Sequence, residues 1–312
     1  MVRSINKVLE EVNKVVRGKE EITAKVFMAI CASGHVLLED NPGSGKTTLA
    51  KSFSRAIALD YKRIQFTPDT MPSDITGYSY FKKGSDQMEY MPGAVQCNLL
   101  LGDEINRTSA KTQSALLEAM EEGSVTLDGK TTFLPQPFIV IATQNPATSL
   151  GTQPLPDSQC DRFMVKLSMG YPSLDSEMQI LRETSVNDIT TRIDSVMTAE
   201  LLQQIRGYVD RLKGNDELIK YICELCDATR HHDYIDVGVS TRGAIALERM
   251  AAAHALFQGR GYIIPEDVRE VFIDVCAHRI ILKPRARMED ISEKAILEEI
   301  LNKIKPGVVS KK

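Results

Sequence analysis

The chain carries Asn41-Pro42-Gly43-Ser44-Gly45-Lys46-Thr47-Thr48, and this glycine-rich stretch decides its fold. An apolar run, His35 to Glu39, precedes it and a helical pattern follows it, so we predict a strand, a tight loop and the start of a helix. In such a loop backbone N–H groups face phosphate oxygens, Lys46 reaches the β- and γ-phosphates, and Thr47 ligates Mg²⁺. The stretch therefore predicts a binding site for ATP or ADP with Mg²⁺.

Asp40 departs from the usual pattern of this loop. The pattern G-x-x-x-x-G-K-[ST] has glycine where this chain has Asp40. An acid near the triphosphate would alter the loop and weaken nucleotide binding. One interpretation of the chain is therefore a nucleotide-gated switch that binds ATP and scarcely turns it over.

A second apolar run, Leu99-Leu100-Leu101-Gly102, ends in the adjacent carboxylates Asp103 and Glu104. This is the Walker B pattern of a strand next to the phosphate loop. Asp103 would hold Mg²⁺, commonly through water, and Glu104 would orient and activate the water that attacks the γ-phosphate. Glu104 argues against the switch interpretation. The alternative is a pair of carboxylates that only caps the following turn.

A third apolar run, Phe138 to Thr143, is followed by Gln144-Asn145-Pro146. We predict that Asn145 lies beside the same site and hydrogen-bonds the γ-phosphate or the lytic water. The alternative for this segment alone is an asparagine that forms a turn before proline.

The wider pattern predicts two domains. Short apolar runs alternate with helical patterns up to about residue 167, which favours a five-stranded, parallel, doubly wound sheet in an α/β P-loop NTPase core. We predict an α/β domain over residues 1–170, a hinge at Tyr171-Pro172, and a smaller all-α lid over residues 171–312. The predicted strands are His35–Glu39, Lys62–Phe66, Leu99–Asp103, Phe138–Thr143 and Phe163–Leu167. The predicted lid helices are Ser173–Glu183, Ala199–Leu212, Leu218–Arg230, Thr241–Gln258, Pro265–His278 and Lys294–Ile304.

Composition narrows the class of protein. A formal charge of -4 over 312 residues gives no basic footprint for a nucleic-acid backbone, so no nucleic-acid partner is expected. No apolar run is long enough to span a membrane, and the chain starts without a signal-peptide core, so we expect a cytoplasmic protein. The six cysteines are scattered, and reduced thiols are expected.

Cys223 and Cys226 form a C-x-x-C followed by His231 and His232, which raises the question of a metal site. Zinc would need four ligands, and no second pair has suitable spacing. We interpret the segment instead as a core-facing helix, with the apolar stripe Leu218, Ile219, Ile222, Cys223 and Cys226.

Several motifs together resemble the MoxR family of AAA+ ATPases, and the resemblance covers nearly the whole chain. They are Gln65-Phe66-Thr67-Pro68-Asp69, Pro72-Ser73-Asp74-Ile75-Thr76-Gly77, Asp103-Glu104-Ile105-Asn106-Arg107, Lys111-Thr112-Gln113-Ser114-Ala115-Leu116-Leu117-Glu118-Ala119-Met120 and Ile141-Ala142-Thr143-Gln144-Asn145-Pro146. The resemblance implies an AAA+ architecture with a helix-2 insertion at about residues 75–95 and a hairpin at about residues 124–133. In this family such protrusions face the pore or a partner.

The resemblance also implies roles for individual residues, most of them outside these motifs. Arg162, in Asp161-Arg162-Phe163, would be an arginine finger that enters a neighbouring subunit's site, with Arg107 as its rival. Arg242, in the sensor 2 segment after Ser240, would act on the nucleotide, and Ser240 can cap its helix. The segment containing Val16 and Gly18 resembles the one that packs around the adenine.

The function implied by the resemblance is that of an ATP-hydrolysing, chaperone-like motor. It would assemble into a ring, with six subunits as the family expectation, and activate or remodel protein partners. Partners with a von Willebrand factor A domain are suggested. Besides the switch, a DNA-directed AAA+ motor remains an alternative, against which the lack of a basic tail and of a DNA-binding module argues.

Overall fold

The structure is a computed structural model, and it describes residues 1–40, 43–82, 88–145, 155–171, 173–183 and 189–306. Of the residues singled out from the sequence, Asn41, Pro42, Pro146 and Pro172 lie outside these ranges. So do residues 83–87 of the predicted insertion.

The strands of the described ranges fall into one five-stranded sheet and three short two-stranded pairings. In chain order they are β1 (Val36–Glu39), β2 (Tyr61–Gln65), β3 (Gly77–Phe81), β4 (Met88–Pro92), β5 (Leu99–Asp103), β6 (Ser124–Leu127), β7 (Lys130–Phe133), β8 (Ile139–Gln144), β9 (Val165–Leu167), β10 (Ile235–Val237) and β11 (Ile281–Leu282). The large sheet has the order β2-β5-β8-β1-β9, and every neighbouring pair in it is parallel. The predicted five-stranded parallel sheet is confirmed.

The helices cover both faces of this sheet and form most of the lid. They are α1 (Val2–Asn13), α2 (Glu20–Cys31), α3 (Lys46–Ala56), α4 (Pro72–Thr76), α5 (Ala110–Glu122), α6 (Asp157–Cys160), α7 (Leu174–Glu183), α8 (Ala199–Arg211), α9 (Asp216–Arg230), α10 (Thr241–Phe257), α11 (Pro265–Cys276), α12 (Pro284–Met288) and α13 (Glu293–Lys303). Short 3₁₀ turns lie at Ile105–Arg107, Ile189–Arg192 and Ala277–Arg279.

The sheet is buried on both faces, which explains why its strands are continuous apolar runs in the sequence. Successive residues of β5 belong to different clusters: Leu99 and Leu101 pack with α1, α2 and α3, whereas Leu100 packs with α5. The first cluster continues through α2 into the lid helices. Arg206 of α8, for example, donates from Nε to the carbonyl of Ile30 in α2 at 2.9 Å.

Three sequence predictions need correction. The last strand begins at Val165 instead of Phe163, because turns occupy the preceding residues and the Phe163 N–H donates to the carbonyl of Cys160 at 3.1 Å. The strand Leu99–Asp103 is confirmed at both ends, and the bounds of the other predicted strands and helices differ from the observed ones by at most two residues. The lid is helical but not entirely so, since β10 and β11 form an antiparallel pair inside it.

The third correction concerns the apolar stripe predicted on the helix over residues 218–230. On α9 the buried side chains are Leu218, Tyr221, Ile222, Leu225, Cys226 and Thr229. Ile219 is 43% exposed and Cys223 is also exposed, so the true buried face is rotated away from both. The helix does face the core, and among the described residues no group of His, Cys, Asp and Glu has a metal-binding arrangement.

Two antiparallel hairpins project from the α/β part. One pairs β3 with β4, and the other pairs β6 with β7 through a turn at Asp128 and Gly129, which have φ angles of 51° and 76°. Asp-Gly with positive φ at both positions is typical of a tight hairpin turn. In the described part of the chain, no helix is long and apolar enough to cross a membrane.

Candidate functional site

The phosphate loop lies where β1 ends and α3 begins. Gly43 and Gly45 have φ angles of 88° and 90°, a left-handed conformation that side chains rarely adopt. A Cβ atom on Gly43 would meet no heavy atom within 4 Å, so its backbone is open to a ligand. Because α3 begins at Lys46, Thr47 and Thr48 lie in the first helical turn, where free N–H groups favour anions.

Lys46 is almost buried, with 7% of its surface exposed, and its ammonium donates to the backbone carbonyl of Asp40 at 2.7 Å. Burial lowers the pKa of Lys46, while the nearby carboxylates of Asp40, Asp103 and Glu104 raise it in part. The fold thus brings the Walker B acids next to the lysine of the phosphate loop.

The carboxylate of Asp40 is occupied by the segment after β9. It accepts hydrogen bonds from the Ser168 hydroxyl at 2.8 Å and from the N–H groups of Met169 at 2.5 Å and Gly170 at 3.0 Å. This side chain is therefore bonded to residues outside the phosphate loop. The observation weakens the switch interpretation, in which the Asp40 carboxylate disturbs nucleotide binding.

Asp103 is the last residue of β5 and Glu104 follows it, and β8 fixes both of them. The hydroxyl of Thr143 donates to Oδ1 of Asp103 at 2.6 Å and accepts from the N–H of Glu104 at 2.9 Å. Glu104 has a left-handed φ of 58°, a conformation that residues other than glycine tend to adopt at functional sites. The other oxygen of Asp103 accepts from Arg63 of β2 at 2.7 Å.

Two side chains hold the carboxylate of Glu104. Asn145 donates from Nδ2 to Oε1 at 3.1 Å, and Arg107 donates from Nη1 to Oε2 at 2.8 Å. Asn145 is fixed in turn by Asn106, whose Oδ1 accepts its N–H at 3.3 Å and whose Nδ2 donates to its carbonyl at 3.0 Å. Asn145 therefore lies beside the Walker B acids, where the sequence analysis placed it.

These residues fit ATP with Mg²⁺ as a ligand. The buried hydroxyl of Ser44 has no hydrogen-bond partner among the described residues, and the left-handed glycines on either side leave the loop open. Thr47 and Asp103 supply the hydroxyl and carboxylate oxygens that Mg²⁺ prefers. When bound, Mg²⁺ would neutralise charge on the β- and γ-phosphates.

The N-terminal segment adjoins the connection into the lid. Val16 is buried, and Gly18 has a φ of 66° and lies so close to α7 that a Cβ atom would meet the Ser176 hydroxyl at 2.3 Å. Lys19 donates to the carbonyl of Tyr171 at 2.6 Å. The structure places Val16 and Gly18 on this side of the molecule, and their role toward adenine stays a prediction.

Arg162 and Arg242 lie at the amino end of the strands, whereas the phosphate loop lies at their carboxyl end. Arg162 pairs with Glu121 at 3.0 Å, and Arg242 pairs with the other oxygen of the same carboxylate. Both line a small cavity with His35, which precedes β1, whereas the phosphate loop follows β1. The structure therefore does not bring Arg242 to the phosphate loop of its own chain, and its role toward a nucleotide stays a prediction.

The arginine-bearing segment is fixed by the lid. Arg279, whose side chain is 2% exposed, donates from Nε to Oδ1 of Asp161 at 2.8 Å and from its Nη2 atom to the carbonyl of Phe163 at 2.6 Å. Ser240 donates to Oδ2 of Asp161 at 3.1 Å and accepts from the N–H of Gly243 at 3.1 Å, so it caps α10 as predicted. Burial lowers the pKa of Arg279.

Sequence reasoning missed four residues that hold the site together: Arg63, Glu121, Thr143 and Arg279. Thr143 was the last residue of a predicted strand next to the predicted Walker B strand, so its position was a usable signal. The others are charged residues whose partners lie 40 or more positions away along the chain, and no local pattern marks them.

Comparisons with known proteins agree with this geometry. Residues 35–165 match the ATPase family associated with various cellular activities (AAA), and residues 227–300 match the AAA lid domain. The uncharacterized protein YeaC of Bacillus subtilis is 45% identical over 304 residues, covering 97% of this chain and 95% of YeaC. Chaperone MoxR1 of Mycobacterium tuberculosis is 34% identical over 97% of this chain and 82% of its own length. The crystal structure of a candidate ATPase from Cytophaga hutchinsonii superimposes with a TM-score of 0.91 at 40% identity, covering 98% of this chain and 96% of the other.

Proposed function

The chain belongs to the MoxR family of AAA+ ATPases and hydrolyses ATP, and from this premise we propose that it works in a ring whose ATP sites are each shared by two subunits. The separation of Glu104 and Arg162 within one chain carries this proposal. Glu104 lies with the phosphate loop at the carboxyl end of the strands, and Arg162 lies with His35 at the other end. One chain alone therefore does not bring its own finger to its own site.

A head-to-tail contact solves this separation. In such a contact, the end of the sheet that carries Arg162 and Arg242 meets the phosphate loop of the next subunit. Because every contact then has the same form, the subunits close into a ring when the rotation between neighbours allows it. The family expectation for the ring is six subunits. In this arrangement Arg242 acts on the neighbour's nucleotide, together with Arg162.

Within the shared site each residue has a defined task. The phosphate loop and Lys46 would bind the triphosphate, and Thr47 and, through water, Asp103 would hold Mg²⁺. Glu104 would orient and activate the attacking water. Asn145 holds the Glu104 carboxylate in place. Arg162 of the neighbour stabilises charge that develops on the γ-phosphate in the transition state.

Turnover is proposed to remodel or activate a protein partner. One relative is named a chaperone, and the two hairpins of this chain carry exposed apolar side chains suited to protein contact. They are Tyr78, Phe81, Met88, Met91 and Phe133. A partner with a von Willebrand factor A domain is proposed from the family resemblance, and a net charge of -4 gives no reason to propose DNA.

The test is steady-state release of phosphate from Mg·ATP over a series of protein concentrations. Turnover per subunit should rise with concentration, because assembly completes the site. Glu104→Gln and Arg162→Ala should bind nucleotide normally but lose about 10²-fold and 10³-fold or more of the turnover, respectively. Arg211→Ala, which removes an exposed arginine of α8, is the matched control and should behave as wild type.

Turnover per subunit that does not depend on concentration would contradict the shared site, provided that size-exclusion chromatography shows the protein dissociating across the series. ATP binding without hydrolysis by the wild-type protein would instead support the switch interpretation.

A further inference from the structure

Ser168, Met169, Gly170 and Tyr171 connect β9 to the lid helix α7, and we call them the strap. The strap carries two successive N–H groups, of Met169 and Gly170, that point to one carboxylate. Gly170 has a left-handed φ of 59°, which lets the two N–H groups converge. This is the geometry of a small backbone nest for an anion.

The carboxylate of Asp40, the residue that follows β1, occupies this nest. The residue is 8% exposed, and its carboxylate accepts three hydrogen bonds from the strap, two from N–H groups and one from the Ser168 hydroxyl. Hydrogen bonds to a buried carboxylate are among the strong ones in proteins, so this contact fixes the strap to the end of β1.

The same residue also contacts the phosphate loop. The backbone carbonyl of Asp40 accepts from the Lys46 ammonium at 2.7 Å. A Cβ atom on Gly45 would lie 3.8 Å from the methyl group of Met169, so the loop and the strap also lie next to each other. Asp40 is thus bonded at once to the lysine that binds phosphates and to the segment that leads into the lid.

We propose that Asp40 is a positioning residue that couples the phosphate loop to the lid. Phosphate groups compete for the Lys46 ammonium, so the contact between Lys46 and the Asp40 carbonyl differs between the free and the ATP-bound chain. A ligand shifts a conformational equilibrium only through such differential contacts. The Asp40 carboxylate transmits this difference to the strap, which a glycine at position 40 would lack the atoms to do.

This inference rests on ATP binding at the phosphate loop, as in the proposed function, but it depends neither on ring assembly nor on a client. Hydrogen exchange of the Met169 and Gly170 amides reports the contact directly, because bonded amides exchange slowly. The exchange of these amides and of residues 173–183 is measured without nucleotide, with Mg·ADP, and with Mg·ATP in a Glu104→Gln background.

In the protein with Asp40 intact, nucleotide should change the exchange of the strap and of α7. Asp40→Ala should speed exchange at Met169 and Gly170, abolish the nucleotide-dependent change over residues 173–183, and leave the Kd for Mg·ADP within about threefold. When Glu104 is intact, Asp40→Ala should lower kcat about tenfold, because lid movement limits turnover in many enzymes. Ser168→Ala, which removes one of the three bonds, should give a smaller change of the same kind.

Asp60→Asn, at an exposed acid near β2, is the matched control and should change none of these values. Unchanged strap exchange in Asp40→Ala overturns the inference, and so does a loss of ADP affinity as large as the loss of kcat. If Asp40→Ala does not fold, Ser168→Ala decides the question by the same readouts. Failure of the wild-type protein to bind Mg·ADP would count against the proposed function itself.

Discussion

The side-chain amide of Asn145 donates to Oε1 of Glu104 over 3.1 Å, and the two residues follow neighbouring strands of the sheet. This contact aligns the carboxylate that we assign to water activation. Asn106 fixes Asn145 in turn through two backbone-to-side-chain bonds. The position of the Glu104 carboxylate thus depends in part on two amides, which do not ionise.

Asn145→Ala is expected to lower kcat about 100-fold, because Glu104 loses a donor and the water loses a binding partner. Nucleotide affinity should change little, since the phosphate loop is untouched. Phosphate release and binding of a fluorescent ADP measure the two effects separately. Asn98→Ala, which removes an amide between β2 and β8 away from the phosphate loop, is the control, and equal losses in both variants would contradict the assignment.

Arg107→Ala is expected to lower kcat on the order of tenfold, because Glu104 then keeps only one of its two side-chain partners. Arg107 acts within its own subunit in this account, so the loss should be the same at every protein concentration. Phosphate release across a dilution series checks this. A loss that grows on dilution would place Arg107 at the subunit contact and revive it as the rival finger.

Glu121→Gln is expected to lower kcat about tenfold while stability falls by less than about 1 kcal/mol, because the ion pairs are partly exposed. The carboxylate of Glu121 holds two guanidinium groups together, and without its charge Arg162 and Arg242 repel each other. Glu122→Gln, at the next position of α5, is the matched control for phosphate release and thermal unfolding. Equal turnover in the two variants would show that Glu121 does not position Arg162 and Arg242 for catalysis.

Asp267 gives the lid a stability that depends on pH. The residue is fully buried, which alone would raise its pKa, but hydrogen bonds from Arg260 and His254 lower its pKa to about 2. In the unfolded chain the pKa of an aspartate is about 3.9. The folded pKa is the lower one, so this contribution of about 2 kcal/mol is present above about pH 4 and is lost as the pH falls toward 2.

Urea unfolding from pH 7 to pH 2.5 measures this contribution. Asp267→Asn should lower the free energy of unfolding by about 3 kcal/mol at pH 7 and flatten its fall below pH 4. Parallel profiles for the variant and the wild-type protein would show that Asp267 is not the group responsible.

The sequence predicted those parts of the fold that local patterns encode. Leu99–Leu101 and Ile139–Ala142 are buried on both faces, so their apolar runs identified the strands directly. The pairing of β10 with β11 was missed because each strand has only two or three residues and the partners lie far apart in the chain. On α9 the phase of the stripe was wrong because Tyr221 and Leu225, which set the buried face, were left out.

For the site as well, the sequence predicted the residues that local patterns mark and missed what depends on distant contacts. Lys46, Asp103, Glu104 and Asn145 were found because each lies at or after the carboxyl end of a strand in one parallel sheet, and these ends lie side by side. The sequence did not indicate whether Arg242 faces its own subunit's nucleotide or a neighbour's, because its position depends on how the lid packs on the core. That packing is set by the bonds of Arg279 and Ser240 to Asp161, across about 80 to 120 residues of sequence.

A subunit-mixing experiment tests the shared site most directly. Glu104→Gln and Arg162→Ala proteins, each nearly inactive, are mixed and allowed to exchange subunits before phosphate release is measured. An intact site then forms wherever an Arg162→Ala subunit binds ATP beside the finger of a Glu104→Gln subunit, about one quarter of the contacts at equal amounts. We expect the mixture to regain a substantial part of the wild-type turnover.

A mixture of Glu104→Gln with Arg107→Ala is the matched control, because both defects lie on the same side of the contact and no fully intact site forms. It should show no more than the residual turnover of its components. Recovery in the first mixture and not in the second supports the account. If mixed assembly is verified by pull-down of differently tagged subunits and the first mixture still shows no recovery, Arg162 does not act across subunits and the ATP site is not shared.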